Sequence, residues 1–209
     1  MSPLEMAAAL ASVLGVWLTT RRVLSSWPVV LVACFLYALV FQRTKLYSDM
    51  LLQFVYAAFA IYGWWHWWRG LKEEGSIRVE RLSGRGLTSG IIVGAVGSFL
   101  LGFLMARYTD AALPFSDASL TSFSLVAQFW QTRKHIANWW LWIVVDTMEI
   151  GVFIYKHLYL TAALFAFFVF LALLGLRAWK KALQEQESGT PKPRRALISD
   201  RVVPESNLS

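Results

Sequence analysis

The chain has 209 residues and a net charge of +7, with 57% hydrophobic and 16% charged residues, and its mean hydropathy is +0.49. A soluble domain of this length cannot hide so much apolar surface, so the composition excludes a soluble globular protein and indicates an all-α polytopic membrane protein. The positive charge is not a nucleic-acid signature, because the basic residues sort by side of the membrane.

Seven apolar stretches are expected to span: 4–20, 25–41, 50–68, 87–106, 116–131, 139–155 and 158–176. A spanning helix needs ~17–25 mainly apolar residues, which puts the second, fifth and sixth near the lower limit. The first carries Glu5 instead of a basic leader and is followed by no small-residue cleavage site, so it reads as a span and not a removable signal. The second holds Cys34, the chain's single cysteine, which rules out an internal disulfide.

The third stretch carries a polar and aromatic stripe, Asp49, Gln53, Tyr56, Ala60, Trp64 and Trp67, in steps of three and four. It closes on Trp64-Trp65-His66-Trp67-Trp68, a run suited to anchoring at the membrane interface. Trp64, on the Gln53/Tyr56 face, is expected to point inward, and His66 reads as interfacial. Residues 73–86 mix both charge signs with glycines and read as a solvated loop. The fourth stretch contains Gly90, Gly94, Gly97 and Gly102, a spacing that permits close helix approach within the bundle or between subunits.

The fifth adds Asp117, Thr121, Ser124, Gln128 and Gln131 on one face. In the sixth, Asn138, Trp142, Asp146 and Glu149 fall along a single helical stripe. Carboxylates inside a span face a wet cavity or a partner, and few basic residues lie at that depth to pair with them. Three striped helices can line one aqueous cavity. The expected site centres on Tyr56, Trp142 and Asp146, with Gln128 and Asn138 below and Gln53 above. His135 and His157 lie at span ends among basic residues and carry no catalytic reading. From Gln184 onward the chain turns polar, with Pro191, Pro193 and Pro204, and reads as a disordered cytoplasmic tail.

Residues 5–67 align without a gap on residues 117–179, at a constant offset of 112. The register pairs Ser12 with Ser124, Arg21 with Arg133, Trp27 with Trp139, Gly63 with Gly175 and Trp67 with Trp179. The plan is therefore 3+1+3: a first three-helix repeat over 1–68, a loop and connecting fourth helix over 69–110, a second repeat over 111–181, and a tail over 182–209. Four spans separate equivalent points, so the halves run parallel and their axis lies along the membrane normal. Of 20 basic residues, 16 fall after odd-numbered spans or in the tail, which places the N-terminus outside and the C-terminus in the cytoplasm.

No Gly-rich phosphate loop, metal-ligand grouping or nucleophile elbow occurs in the sequence, so no cofactor or metal is expected. A second class of function remains open, a membrane enzyme using Asp146 and Glu149 as an acid/base pair.

Several short blocks resemble the PnuC family of bacterial vitamin transporters over residues 17–181: Lys45-Leu46-Tyr47 with Leu52-Gln53, Ile61-Tyr62-Gly63-Trp64 through Trp67, and Thr132-Arg133-Lys134 with Asn138-Trp139 through Trp142. Leu158-Tyr159-Leu160-Thr161 and Gly175 through Trp179 complete the match. The resemblance implies an inner-membrane homotrimer, distantly SWEET-like in architecture, and no enzymatic activity. It implies facilitated diffusion of a vitamin that a cytoplasmic kinase then traps as a phosphate ester. Nicotinamide riboside is the expected substrate and thiamine the alternative, with a riboflavin branch also within the family. Glu149 departs from the riboside transporters, where a small or neutral residue is expected. The residues expected at the binding site, from the stripes read above, are Gln53, Tyr56, Trp64, Gln128, Asn138, Trp142, Asp146 and Glu149.

Overall fold

The first helix begins on a reciprocal cap. The Ser2 hydroxyl accepts the backbone N–H of Glu5 at 3.2 Å, and the Glu5 carboxylate accepts the backbone N–H of Ser2 at 2.8 Å. With Pro3 in the first turn, this satisfies donors that a helix start leaves open. The computed structural model describes residues 2–45, 47–109 and 113–189. Among these it contains helices α1 (Pro3–Thr20), α2 (Ser26–Arg43), α3 (Tyr47–Glu74), α4 (Gly84–Tyr108), α5 (Pro114–Thr132), α6 (Ala137–Tyr155) and α7 (Tyr159–Glu187). All seven expected spans are helices. Five, α1, α2, α4, α6 and α7, are long and apolar enough to cross a membrane by composition alone. The other two, α3 and α5, are the helices with the longest polar stripes.

The helix ends reproduce the offset of 112 in their backbone. Positive φ outside glycine occurs at Arg22 (57°) and Lys134 (62°), and again at Lys45 (60°) and His157 (58°), two equivalent pairs. After α1 the N–H of Val23 reaches the carbonyl of Leu18 and that of Arg22 reaches Thr19. After α5 the N–H of His135 reaches Trp130 and that of Lys134 reaches Gln131. Both turns are Schellman closures, and they put a side chain where glycine is usually preferred. The Leu46 of the Lys45-Leu46-Tyr47 block lies outside the described residues, as do 190–209 of the expected tail.

Six helices close a ring: α1 packs on α2, α2 on α3, α3 on α5, α5 on α6, α6 on α7, and α7 returns to α1. The seams between repeats, α3 against α5 and α7 against α1, are equivalent under the offset. Helix α4 stands outside the ring against α5. Its glycines decide between the two readings of their spacing. Gly90 faces Trp130, Gly94 faces Phe123, Gly97 faces Ser122 and Gly102 faces Phe115, so they serve packing within the chain.

Two expectations about polar segments need correction. Part of 73–86 is packed and not a solvated loop: Ile77 and Val79 are buried, and Glu80 exchanges backbone hydrogen bonds with Lys134 (2.9 Å) and Ile136 (3.0 Å). Two apolar residues alternating in extended chain are enough to seat the segment, and the surrounding charges obscured them. Helix α3 also runs on to Glu74. The tail expected from 182 begins later, because α7 continues to Glu187, with Ala182 buried and Arg81 paired bidentately with Glu187 at 2.9 and 3.0 Å.

Candidate functional site

Four tryptophans form the floor. Trp27, Trp67, Trp139 and Trp179 are each no more than 1% exposed and stand as two equivalent pairs. Trp27 meets Trp67 edge to face with centroids 5.1 Å apart, and Trp139 meets Trp179 edge to face at 5.5 Å. Trp67 and Trp179 join the pairs at 5.9 Å. Their indole N–H groups cross between repeats, Trp67 donating to the carbonyl of Thr132 and Trp179 to that of Thr19, both at 3.2 Å. Gly63 makes room for the Trp27 ring and Gly175 for the Trp139 ring.

Against this floor lies a cavity of about 300 Å³ inside the ring, at the lower end of the ~300–1,000 Å³ range of small-molecule sites. Its lining divides into two walls. Helices α3, α5 and α6 present Gln53, Tyr56, Thr121, Ser124, Gln128, Gln131, Trp142, Asp146 and Glu149. Helices α7, α1 and α2 present mainly Phe165, Phe168, Ala172, Val16, Val30, Ala33 and Cys34, with Ser12, Thr19 and Tyr37 as polar additions. The walls are images of one another at the offset of 112. Asp146 corresponds to Cys34, Glu149 to Tyr37, Trp142 to Val30, Gln128 to Val16, Gln53 to Phe165 and Tyr56 to Phe168. Duplication supplied one shape twice, and divergence made one side polar and acidic and the other apolar and aromatic.

Hydrogen bonds fix the polar wall. The Tyr56 and Ser124 hydroxyls pair across the α3–α5 seam, and Ser124 also donates to the carbonyl of Thr121 at 2.8 Å. The Trp142 indole N–H donates to Gln131 Oε1 at 3.1 Å, which sets the ring plane. Asp146 is 6% exposed and Glu149 half-buried. Among the described residues neither carboxylate has an ion pair or hydrogen bond, and no Lys, Arg or His lines the cavity. The nearby Lys156 is turned to Asp117 at 3.4 Å. Such a site is unbalanced until something positive enters it.

Of the expected site residues, Gln53, Tyr56, Gln128, Trp142, Asp146 and Glu149 line this cavity together. Trp64 does not: it is 40% exposed and absent from the cavity lining. Trp64 keeps nearly the angle of Gln53 around α3, about 20° away, but it lies ~12 Å along the helix past Tyr56, the last α3 residue to line the cavity. Asn138 is fully buried outside the cavity lining, with its Nδ2 donating to the carbonyl of His135 at 2.7 Å. It sits in the first turn of α6 and is held by the preceding loop. The sequence reading left out Trp139 and the apolar wall. Subtracting or adding the offset to each polar candidate locates that wall, because the two walls share one geometry.

Comparison with known proteins gives one family and consistent relatives. The family profile described as nicotinamide mononucleotide transporter matches residues 2–181. The nicotinamide riboside transporter PnuC of Escherichia coli (strain K12) is 25% identical over 214 residues, covering 90% of this chain and 89% of that protein. The riboflavin/roseoflavin transporter RibM of Streptomyces davaonensis is 26% identical over 186 residues, covering 84% and 83%. The crystal structure of the vitamin B3 transporter PnuC superposes with a TM-score of 0.72 at 23% identity, over 87% of this chain and 82% of that one. These relatives are named as transporters and not as enzymes.

Proposed function

The chain belongs to the nicotinamide mononucleotide transporter family, and on that premise we propose that it takes up nicotinamide riboside by facilitated diffusion across the bacterial inner membrane. The observation that carries the substrate is the pair Asp146 and Glu149 in a cavity that no basic residue lines. A pyridinium ring supplies the missing positive charge. The phosphorylated mononucleotide also brings a phosphate dianion, which two carboxylates repel and no cation answers. That selectivity suits capture by phosphorylation, since the ester made by a cytoplasmic kinase would not re-enter the site.

The two walls divide the work. Phe165 and Phe168 offer an apolar face to a flat ring, and the Trp142 ring adds cation–π attraction of ~0.5–2 kcal/mol. The Gln53 and Gln128 amides suit ribose hydroxyls or a carboxamide. Thiamine, with its thiazolium, is the second reading, and Glu149 favours a flat cation in general without choosing between the two. Riboflavin is neutral and leaves both acids unanswered, despite the relative that carries it. In this reading the protein is a homotrimer with its N-terminus outside and C-terminus in the cytoplasm, built on a SWEET-like plan.

The test is calorimetric titration of the detergent-purified chain with nicotinamide riboside, its mononucleotide, thiamine and riboflavin. Binding of the riboside with none of the mononucleotide is expected. Equal binding of both would overturn the electrostatic argument, and binding of thiamine alone would move the assignment to the second reading.

A further inference from the structure

We infer that the groove outside the ring, between α3, α4 and α5, is a binding site for one anionic phospholipid. This groove encloses about 750 Å³ and does not share a lining residue with the cavity inside the ring. Its chemistry is graded along its length. At one end Arg81 and Arg133 line it, and no Asp or Glu does. Further along it is walled by Phe59, Val93, Val126 and Phe129. From Arg133 to Ser122 it follows α5 for ~17 Å at 1.5 Å per residue, close to one leaflet of a ~30 Å hydrocarbon core. A short basic head and an apolar channel one leaflet long fit a lipid better than a soluble anion, which would use only the head.

The two guanidiniums retain capacity for a phosphate. Arg133 donates from Nη1 to the Tyr62 hydroxyl at 2.8 Å and, among the described residues, has no carboxylate partner. Arg81 uses Nε and Nη2 on Glu187, leaving Nη1. Planar guanidiniums match phosphate oxygens in pairs. A zwitterionic headgroup would bring an ammonium beside the lining guanidiniums of Arg81 and Arg133, so the site prefers a lipid with net negative charge. The groove exists because α4 has no counterpart in the first repeat. Against α5 its glycines pack tightly at Gly94 and Gly102, while Val93 lines the groove.

Native mass spectrometry of the full chain, delipidated in detergent and then supplied with phosphatidylglycerol or phosphatidylcholine, tests this. One phosphatidylglycerol per protomer is expected, bound roughly tenfold more tightly than phosphatidylcholine. The preference should vanish in the double variant Arg81→Gln/Arg133→Gln. Val93→Trp, which fills the groove, should reduce retention of both lipids, and Arg78→Gln, outside the groove, should match the parent. Equal retention of the two lipids, or retention of phosphatidylglycerol unaffected by either groove variant, overturns the inference. So does a fall in oligomer mass with Val93→Trp in lipid-free protein, which would assign the groove to a neighbouring copy of this chain.

Discussion

Trp67 and Trp179 are equivalent residues of the two repeats, and they touch, with ring centroids 5.9 Å apart. Two equivalent groups can be in contact only where the symmetry axis passes between them. The axis of the duplicated unit therefore runs through the tryptophan floor, and the cavity stands on it. This ties the most regular part of the chain to its least symmetric part, the two unlike walls. The floor kept its residues in both copies while the lining above it diverged.

The floor makes a paired stability prediction. A Cβ at Gly63 would collide with the Trp27 ring, and one at Gly175 would stand 2.6 Å from the Trp139 ring. Neither ring can yield easily, since each is held edge to face against a second indole. Gly63→Ala and Gly175→Ala should each cost ~1–3 kcal/mol from overpacking. Thermal unfolding at fixed detergent should show losses of similar size at the two sites. A large loss at one and none at the other would show that the halves of the floor are not mechanically equivalent.

The cavity acids make a prediction about charge. Asp146→Asn removes the buried carboxylate proposed to face the substrate's positive ring, and should weaken riboside binding by about 2 kcal/mol or more, roughly 30-fold. Glu149→Gln, less buried, should cost less. Both should narrow the preference for the riboside over the mononucleotide, because the repulsion of phosphate falls as well. Calorimetry with the two ligands on each variant reads this out, and an unchanged ratio would mean that the acids do not choose the substrate.

The seven helices and the repeat were legible because membrane spans are read from long apolar runs, and because Trp27/Trp139 and Gly63/Gly175 keep one register. The polar wall was legible for a related reason: Gln53, Tyr56, Gln128, Asp146 and Glu149 are unusual inside spans. The apolar wall was not, since Phe165 and Phe168 look like any lipid-facing pair until the offset places them opposite Gln53 and Tyr56. Trp64 misled because it shares the angle of Gln53 on α3 but lies about three turns further along, past the cavity. Asn138 misled because a buried amide can serve its own backbone as well as a ligand. Ile77 and Val79 were hidden by the charges around them.

Trp142, Asn138 and Trp64 can be separated by one set of variants. Trp142→Ala should lower affinity by up to about 30-fold, from lost ring contact and from freeing Gln131. Trp142→Phe keeps a ring but loses the bond to Gln131, so it should fall between the parent and the alanine variant. Trp64→Ala should bind as the parent does, since its ring does not line the cavity. Asn138→Ala should lower the melting temperature with little change in affinity for the protein that remains folded. A complete loss of binding in well-folded Asn138→Ala would return that residue to the site.

His135 gives a prediction about pH. It lies in the turn between α5 and α6, where its Nδ1 is buried without a hydrogen bond and 3.8 Å from a carboxylate oxygen of Glu80. Burial lowers its pKa below the usual histidine value, Glu80 pulls it back up, and Arg133 and Lys134 push it down again. In the unfolded chain the imidazole takes a proton near pH ~6.5, while the folded chain holds it neutral to lower pH. Between those two values the unfolded state binds more protons, so stability falls as pH falls. The stabilisation is complete above the unfolded pKa and is lost progressively below it. The apparent melting temperature should therefore drop between pH 7.5 and 5.5, and His135→Gln, which cannot titrate, should show a smaller drop. An equal drop in the variant would place the acid sensitivity elsewhere, and a larger one would mean that protonated His135 is stabilised by Glu80 in the folded turn.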